Sequence, residues 1–248
     1  MTKRASVVFR AAAIALAAGL GLAACSSDNA DGPSNDNGEN LEVPEAPAAT
    51  AEETGLAETL ESEFEVTSVQ TLEDQWPDLN AMASALSGTA EPDLCQEAGA
   101  AQYGLFVNSK PPNVRASFTE EALLDDNASG ETVHAFFAND EAPADRIQEV
   151  HENTDTACVE EYESNVAHEV TQQEVDGEQV DVHTWQVEAS EQLTGRMVDV
   201  VGDEIYVRYA AAYPPQVLVE ELNDASETEF NEQATERALT AYEAATAQ

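Results

Sequence analysis

A turn signal in the second half of the chain is the feature that most constrains its fold. Asp176-Gly177 lies between the alternating segments VAHEVTQQEV and EQVDVHTWQVE, and Asp-Gly is a strong signal for a two-residue β-hairpin turn. The resulting register places His168 opposite Trp185 and Val170 opposite His183. We expect one face of this hairpin to be its core side, and that face collects six residues: Val166, His168, Val170, His183, Trp185 and Val187.

A second hairpin is predicted to turn at Gly202-Asp203, which places Val200 opposite Ile205. Asp199 and Arg208 are then diagonal neighbours, and we expect them to form an exposed ion pair. Other patterns predict the strands Val114–Phe118 and Glu131–Phe137 and helices that begin at Pro77, at Pro143 and at a capping box formed by Ser226 and Glu229. The fold class is therefore predicted as α+β, with an antiparallel β-sheet of about five or six strands and helices packed on one face.

The start of the chain has the organisation of an export signal. A basic segment, Met1–Arg10, precedes an uncharged run of small and apolar residues, Ala11–Ala24, that ends at Cys25. The sequence Leu22-Ala23-Ala24-Cys25 resembles the bacterial lipobox. This resemblance implies cleavage of a lipoprotein signal peptide, residues 1–24, and lipidation of Cys25 with fatty acyl chains such as palmitate. The alternative is an ordinary signal peptide whose cysteine happens to lie near the cleavage site.

The rest of the chain divides into a linker and a body. Residues 25–54 are rich in Ser, Asp, Asn, Gly, Pro, Ala and Glu, and they are predicted to be a flexible acidic tether. Residues 55–248 are predicted to be a single α+β extracytoplasmic domain. The chain has 50 Asp+Glu against 9 Lys+Arg and a net charge of −41, so it repels phosphates. We expect no nucleic-acid partner, and contact with the cell membrane only through the lipid anchor.

Two cysteines remain outside the lipobox, Cys95 and Cys158. Paired cysteines are common in exported proteins, so we predict a disulfide bond between them. A metal pair or a redox dithiol is the alternative, but the C-x-x-C spacing typical of such sites is absent from the sequence.

The body resembles the extracellular sensor domain of the mycobacterial serine/threonine kinase PknH, which also occurs on many actinobacterial lipoproteins. The likeness rests on Cys95 after an opening helix, on the segment AFFANDEAPADRIQEV before Cys158, and on the hairpin GRMVDVVGDEIYVRYA with its closing helix. It spans the chain from about Leu72 to Ala245. The resemblance implies an α+β domain with an antiparallel sheet and a cleft proposed to bind an unidentified ligand.

Motifs for known chemistry are missing, because the sequence has no G-x-S-x-G, S-x-x-K or H-E-x-x-H. His168 and His183 suggest a zinc or copper site or a proton switch, but we favour the interpretation that they pack on Trp185. Asp125–Gly130 begins like a calcium loop, but Phe136 stands where the loop needs a bidentate Glu. We therefore predict no metal ion and no cofactor.

The predicted function is that of a non-catalytic ligand-binding or sensor-like lipoprotein. A lone cation among aromatic residues can select an anionic group, so the candidate ligand-binding residues are Trp185, Tyr206, Arg208, His168 and His183. The alternative is a structural or accessory envelope lipoprotein that acts through protein contacts, and an enzyme with an unfamiliar site is the third hypothesis. The partner is accordingly a small molecule or an envelope protein.

Overall fold

The computed structural model describes residues 44–64, 66–118, 130–161, 165–189, 193–213 and 224–248. Within these ranges the chain forms seven strands and five helices. The strands are β1 Ser68–Thr71, β2 Asn113–Phe118, β3 Gly130–Phe137, β4 Asn165–Val175, β5 Glu178–Ala189, β6 Leu193–Val201 and β7 Ile205–Tyr213. The helices are α1 Ala51–Glu63, α2 Leu72–Ser87, α3 Leu94–Ser109, α4 Ala144–Glu161 and α5 Asp224–Thr246.

All seven strands form one antiparallel sheet in the order β1-β2-β3-β7-β6-β5-β4. The predicted α+β class is confirmed, but the predicted count of five or six strands is too low. The additional strand is β1, whose sequence SVQT is short and contains a single large apolar residue. Its backbone pairs with β2, and this pairing is not visible as an alternating pattern.

The β4–β5 hairpin has the predicted register, with His168 opposite Trp185 and Val170 opposite His183. Asp176 has a φ of 51° and Gly177 a φ of 89°. Two successive residues with positive φ form the type I′ turn that matches the twist of a hairpin.

The β6–β7 hairpin differs from the prediction by two residues. Val200 lies opposite Val207, and Asp199 lies directly opposite Arg208 instead of diagonally. The turn lies one residue later than predicted, at Asp203-Glu204, and the N–H of Gly202 donates to the carbonyl of Ile205 across it at 3.0 Å. A shift of two residues keeps every side chain on its predicted face.

Helices cover both faces of the sheet, so the prediction of helices on one face is wrong. Helices α1 and α5 pack on what we call the apolar face, whose buried strand residues include Val133, Ala135, Val182, Val198, Val200 and Val207. Helices α2, α3 and α4 cover the opposite side, which we call the polar face. Its centre is a row of directly paired residues that crosses five strands: Arg115, His134, Arg208, Asp199 and His183.

The core side of the β4–β5 hairpin also differs from the prediction. Val180 and Val182 are buried in the apolar core that contains α1 and α5. On the face predicted as core, Val166 and Val170 are 36% and 51% exposed. The alternation of apolar and polar residues does not identify the core face of this hairpin, because both faces carry valines.

Two helices begin earlier than predicted. Helix α2 begins at Leu72, where the N–H of Thr71 donates to Asp74 Oδ2 at 3.0 Å, and Pro77 lies inside the helix. Helix α5 already includes Asp224, so Ser226 is not its N-cap. The predicted apolar side of α5 is confirmed, because five residues on it are buried: Phe230, Ala234, Ala238, Ala241 and Ala245.

The predicted boundary between tether and body, at residues 54 and 55, falls inside α1. Thr50 caps this helix, and Leu56 and Leu60 are fully buried in the apolar core. Upstream of it, Trp76 Nε1 donates to the carbonyl of Pro44 at 2.8 Å. The folded body therefore includes residues from Pro44 onward, because these contacts order the chain before Gly55.

The predicted disulfide between Cys95 and Cys158 is present and joins the start of α3 to the end of α4. Residues 1–24, Cys25 and the tether up to residue 43 lie outside the described residues, as do residues 125–129 of the calcium-like loop. None of the helices described is both long enough and apolar enough to cross a membrane.

Candidate functional site

The five predicted ligand-binding residues all lie on the polar face, but in two separate environments. Tyr206 and Arg208 are buried in the middle of the sheet, whereas His168, His183 and Trp185 lie near the β4 edge.

Arg208 forms the centre of a closed charge network below α4. Its Nε and Nη2 donate to the two carboxylate oxygens of Asp199, both at 2.7 Å, and Nη2 also donates to Asp155 Oδ2 at 2.9 Å. Its Nη1 donates to His151 Nδ1 at 3.1 Å. Arg208 is only 1% exposed, so the expectation of an exposed pair with Asp199 is wrong. Four hydrogen bonds within the protein hold the buried guanidinium, so it is not presented to an anionic ligand.

The network determines the charge state of its members. Burial by itself lowers the pKa of Arg208, but Asp155 and Asp199 raise it well above its ordinary value. Burial raises the pKa of Asp155 despite the opposing effect of Arg208. Burial also lowers the pKa of His151 well below its ordinary value, and Arg208 adds to that shift. The network therefore contains a permanently charged arginine and a neutral histidine.

Two donors hold His151 at the same ring nitrogen. Gln102 Nε2 and Arg208 Nη1 both donate to its Nδ1, at 2.8 and 3.1 Å, so the ring hydrogen is on Nε2. The ring stacks on Tyr206 with centroids 5.2 Å apart. Because the lone pair of Nδ1 is occupied by two donors, His151 is not arranged as a general base.

Near the β4 edge, three side chains form what we call the His–Glu cluster: Glu152 from α4, His168 from β4 and His183 from β5. His168 Nε2 lies 3.1 Å from His183 Nδ1, and His183 Nδ1 lies 3.4 Å from Glu152 Oε1. His183 is 9% exposed, while His168 lies at the surface. Partial burial and the neighbouring His183 lower the pKa of His168, which favours the neutral imidazole that binds metals.

Side chains around the His–Glu cluster fix its geometry. The ring of His168 stacks on Trp185, with centroids 3.6 Å apart and planes 10° apart, as the packing interpretation predicted. Gln148 Nε2 donates to Glu152 Oε1 at 3.0 Å and lies 3.0 Å from His183 Nε2 and 3.3 Å from His183 Nδ1. Glu152 is not among the residues predicted from the sequence, because its α4 position contacts the sheet only in the folded chain. Its one signal is the spacing of Gln148, Glu152 and Asp155 on a single side of α4.

A surface cavity of about 750 Å³ lies where the turns of the two hairpins meet the C-terminal end of α5. We call it the acidic depression. Its walls carry four carboxylates, and no Lys or Arg is among the described residues that line it. Burial and the nearby Glu178 raise the pKa of Tyr242, which donates to Glu178 Oε2 at 3.1 Å. The acidic depression is formed by these residues: Glu52, Glu178, Asp203, Glu204, Pro112, Phe137, Ala138, Ile205, Tyr242, Ala245, Thr246 and Gln248.

A second cavity, of about 670 Å³, is a groove between the β4–β5 hairpin and α5. It also carries carboxylates, including Glu169, Glu232 and Glu236. Lys110, the single lysine of the body, contributes to neither cavity, because its Nζ lies over the Trp76 ring, 4.8 Å from the centroid. Both cavities are therefore suited to cations rather than anions.

Compared with known protein families and with curated proteins, the chain matches no family model and no curated sequence.

Proposed function

We propose that this protein is a lipid-anchored extracytoplasmic lipoprotein that acts as a non-catalytic ligand-binding or sensor-like module. The leader and the lipobox at Cys25 support the anchor. The disulfide between Cys95 and Cys158 agrees with an oxidising compartment outside the cytoplasm. The sensor-like role is also what the resemblance to the extracellular domain of PknH implies.

The acidic depression is the observation that carries the binding role. Its volume of about 750 Å³ lies in the range of small-molecule sites. Four carboxylates around one concavity concentrate negative potential there, while Phe137, Ile205 and Ala245 offer apolar contact. The ligand class that fits this combination is a small organic cation with a hydrocarbon chain, such as a polyamine.

Binding of spermidine to the full-length protein in detergent micelles, measured by calorimetry at constant ionic strength, tests the proposal. Glu52 and Glu204 are exposed in the acidic depression, and Glu232 and Glu236 are exposed in the groove. The double variant E52Q/E204Q is expected to weaken binding by about tenfold, as loss of two exposed charge contacts predicts. The matched variant E232Q/E236Q removes the same charge elsewhere and is expected to have a smaller effect. Equal weakening by both variants would overturn the assignment of the ligand to the acidic depression.

The anchor has its own test. Mass spectrometry of the mature N-terminal peptide from a lipid extract is expected to find Cys25 carrying acyl chains. C25S is expected to release the protein from the membrane fraction, since the acyl chains supply the attachment. An unmodified Cys25 at the mature N-terminus would contradict the proposed location.

The β4 edge supports the second candidate function, an accessory lipoprotein that contacts envelope proteins. β4 is an edge strand of 11 residues, and Val166 and Val170 are exposed on it. Long edge strands with exposed apolar residues can pair with other chains. A photo-crosslinker at Val170 is expected to give an adduct with a second envelope protein in intact cells, and one at the exposed Glu58 of α1 is not. Absence of a specific adduct at Val170 would leave the ligand-binding role favoured.

A further inference from the structure

The His–Glu cluster brings together three donors of the kind that bind transition metals. Two imidazoles and one carboxylate converge from three separate elements, and their donor atoms all lie within 4.8 Å of one another. We propose that Glu152, His168 and His183 form a binding site for a divalent transition-metal ion, with Zn²⁺ as the ion that best fits the geometry.

The distances agree with one metal ion bound to all three side chains. Zn²⁺ binds imidazole nitrogen and carboxylate oxygen at about 2.0–2.1 Å in tetrahedral geometry, so neighbouring ligand atoms lie about 3.3 Å apart. His168 Nε2 and His183 Nδ1 are 3.1 Å apart, and His183 Nδ1 and Glu152 Oε1 are 3.4 Å apart. Two of the three separations are thus already those of ligands on one ion, and the third, between His168 and Glu152, is within 4.8 Å.

The surrounding side chains hold the donors in place. Trp185 supports the ring of His168 by stacking, and Gln148 contacts both Glu152 and His183. Such outer contacts orient metal ligands and contribute to affinity. The ligand side chains are therefore already ordered, so metal binding loses little of their conformational entropy.

The local charge also favours a cation. Asp199 is paired with His183 across β5 and β6 and binds Arg208 together with Asp155. Two carboxylates face one guanidinium, so the neighbouring network carries no excess positive charge. The nitrogen donors select zinc, copper or nickel over calcium and magnesium, which prefer oxygen.

The exposure of His168 determines the type of site. Three protein ligands with one at the surface leave a fourth position for water or for a ligand atom of another molecule, unlike a closed structural zinc site. The His–Glu cluster lies on the polar face, whereas the acidic depression is built on Glu178 and Tyr242 at the apolar face. The metal site is therefore independent of the proposed polyamine site.

The test is Zn²⁺ binding to the full-length, chelator-treated protein in detergent, with excess Ca²⁺ present to occupy surface carboxylates. One Zn²⁺ per chain is expected to bind. H168A and E152Q are each expected to weaken binding by about a hundredfold, since loss of an outer-shell partner alone costs about 10–100-fold. The matched control is E149Q, which removes an exposed carboxylate one turn earlier on α4. It is expected to leave the affinity unchanged.

Cu²⁺ provides a readout that affinity alone does not give. The electron paramagnetic resonance spectrum of the Cu²⁺-loaded wild-type protein is expected to show coupling to two imidazole nitrogens, and H168A to one. Two results would overturn the proposal: displacement of Zn²⁺ by Ca²⁺, or equal weakening by H168A and E149Q. Either would show that Zn²⁺ binds nonspecifically to surface carboxylates. His168 lies at the surface, so unfolding of H168A is not expected, and its thermal transition in Ca²⁺ verifies this.

Discussion

The two faces of the sheet are both covered by helices, but they bury different chemistry. On the apolar face, Val, Ala and Leu side chains from the strands, α1 and α5 form one continuous core. On the polar face, the row from Arg115 to His183 crosses five strands below the helices. Alternate residues of the same strands supply the two faces, since successive side chains of a strand point in opposite directions.

The two faces are stabilised by different interactions. The apolar face gains free energy from burial of hydrocarbon, which requires little directional matching. The polar face must pair each buried charge, and it does so with side chains one or two turns apart on α4, such as His151 and Asp155. Pairing of this kind fixes α4 on the sheet but depends on every partner being present.

The largest effect is expected from breaking the charge network. R208M leaves the buried Asp155 and Asp199 without their cation, and removal of one partner of a buried ion pair costs about 3–5 kcal/mol. Urea denaturation measures the loss. The control R146M removes an exposed arginine whose partner Glu149 is also exposed, and it is expected to change the free energy of unfolding by less than about 1 kcal/mol. Similar small effects for both variants would show that the network is not strongly coupled.

The disulfide belongs to the polar face alone, because it joins α3 to α4. C95S/C158S is expected to lower the free energy of unfolding by roughly 4 kcal/mol, from the chain entropy that a closed loop of this length removes from the unfolded state. Hydrogen exchange is expected to accelerate more in α3 and α4 than in α5. Uniform acceleration in all three helices would indicate that the two helix layers unfold as one unit.

The apolar face is tested by L56A, which removes a fully buried side chain of α1. A cavity of this kind is expected to cost about 3 kcal/mol in the free energy of unfolding. The control is E58A, at an exposed position of the same helix, for which a change below about 0.5 kcal/mol is expected. If L56A were as mild as E58A, the packing of α1 on the apolar face would contribute little to the stability of the body.

Features that depend on local chemistry were predictable from sequence. Asp176-Gly177 determined the register of the β4–β5 hairpin, because residues that tolerate positive φ specify a type I′ turn. The position of the β6–β7 turn, in contrast, is not determined by the residues of the turn alone. A Cβ at Gly202 would collide with Tyr242 of α5, so a helix 40 residues downstream shapes that turn.

Which face of a strand becomes the main core is likewise a tertiary property. The histidine face of the β4–β5 hairpin was predicted as core, but α5 packs against Val180 and Val182 on the other side. The candidate site was only half predictable for the same reason. His168 and His183 follow from the hairpin register, whereas Glu152 joins them only after α4 docks on the sheet.

The smallest effect concerns pH and again separates the two faces. Burial, together with neighbouring arginines, lowers the pKa of His134 and His151 well below 6.5. The unfolded chain therefore binds more protons below about pH 6.5, so stability is fully present above that pH and falls as the pH decreases. The slope is expected to reach about 1.4 kcal/mol per pH unit for each histidine. Urea denaturation between pH 7 and 5 measures it: H151Q is expected to flatten the slope, while L56A lowers stability equally at every pH. An unchanged slope in H151Q would mean that His151 is already protonated in the folded protein. That result would contradict the network in which Arg208 donates to His151 Nδ1.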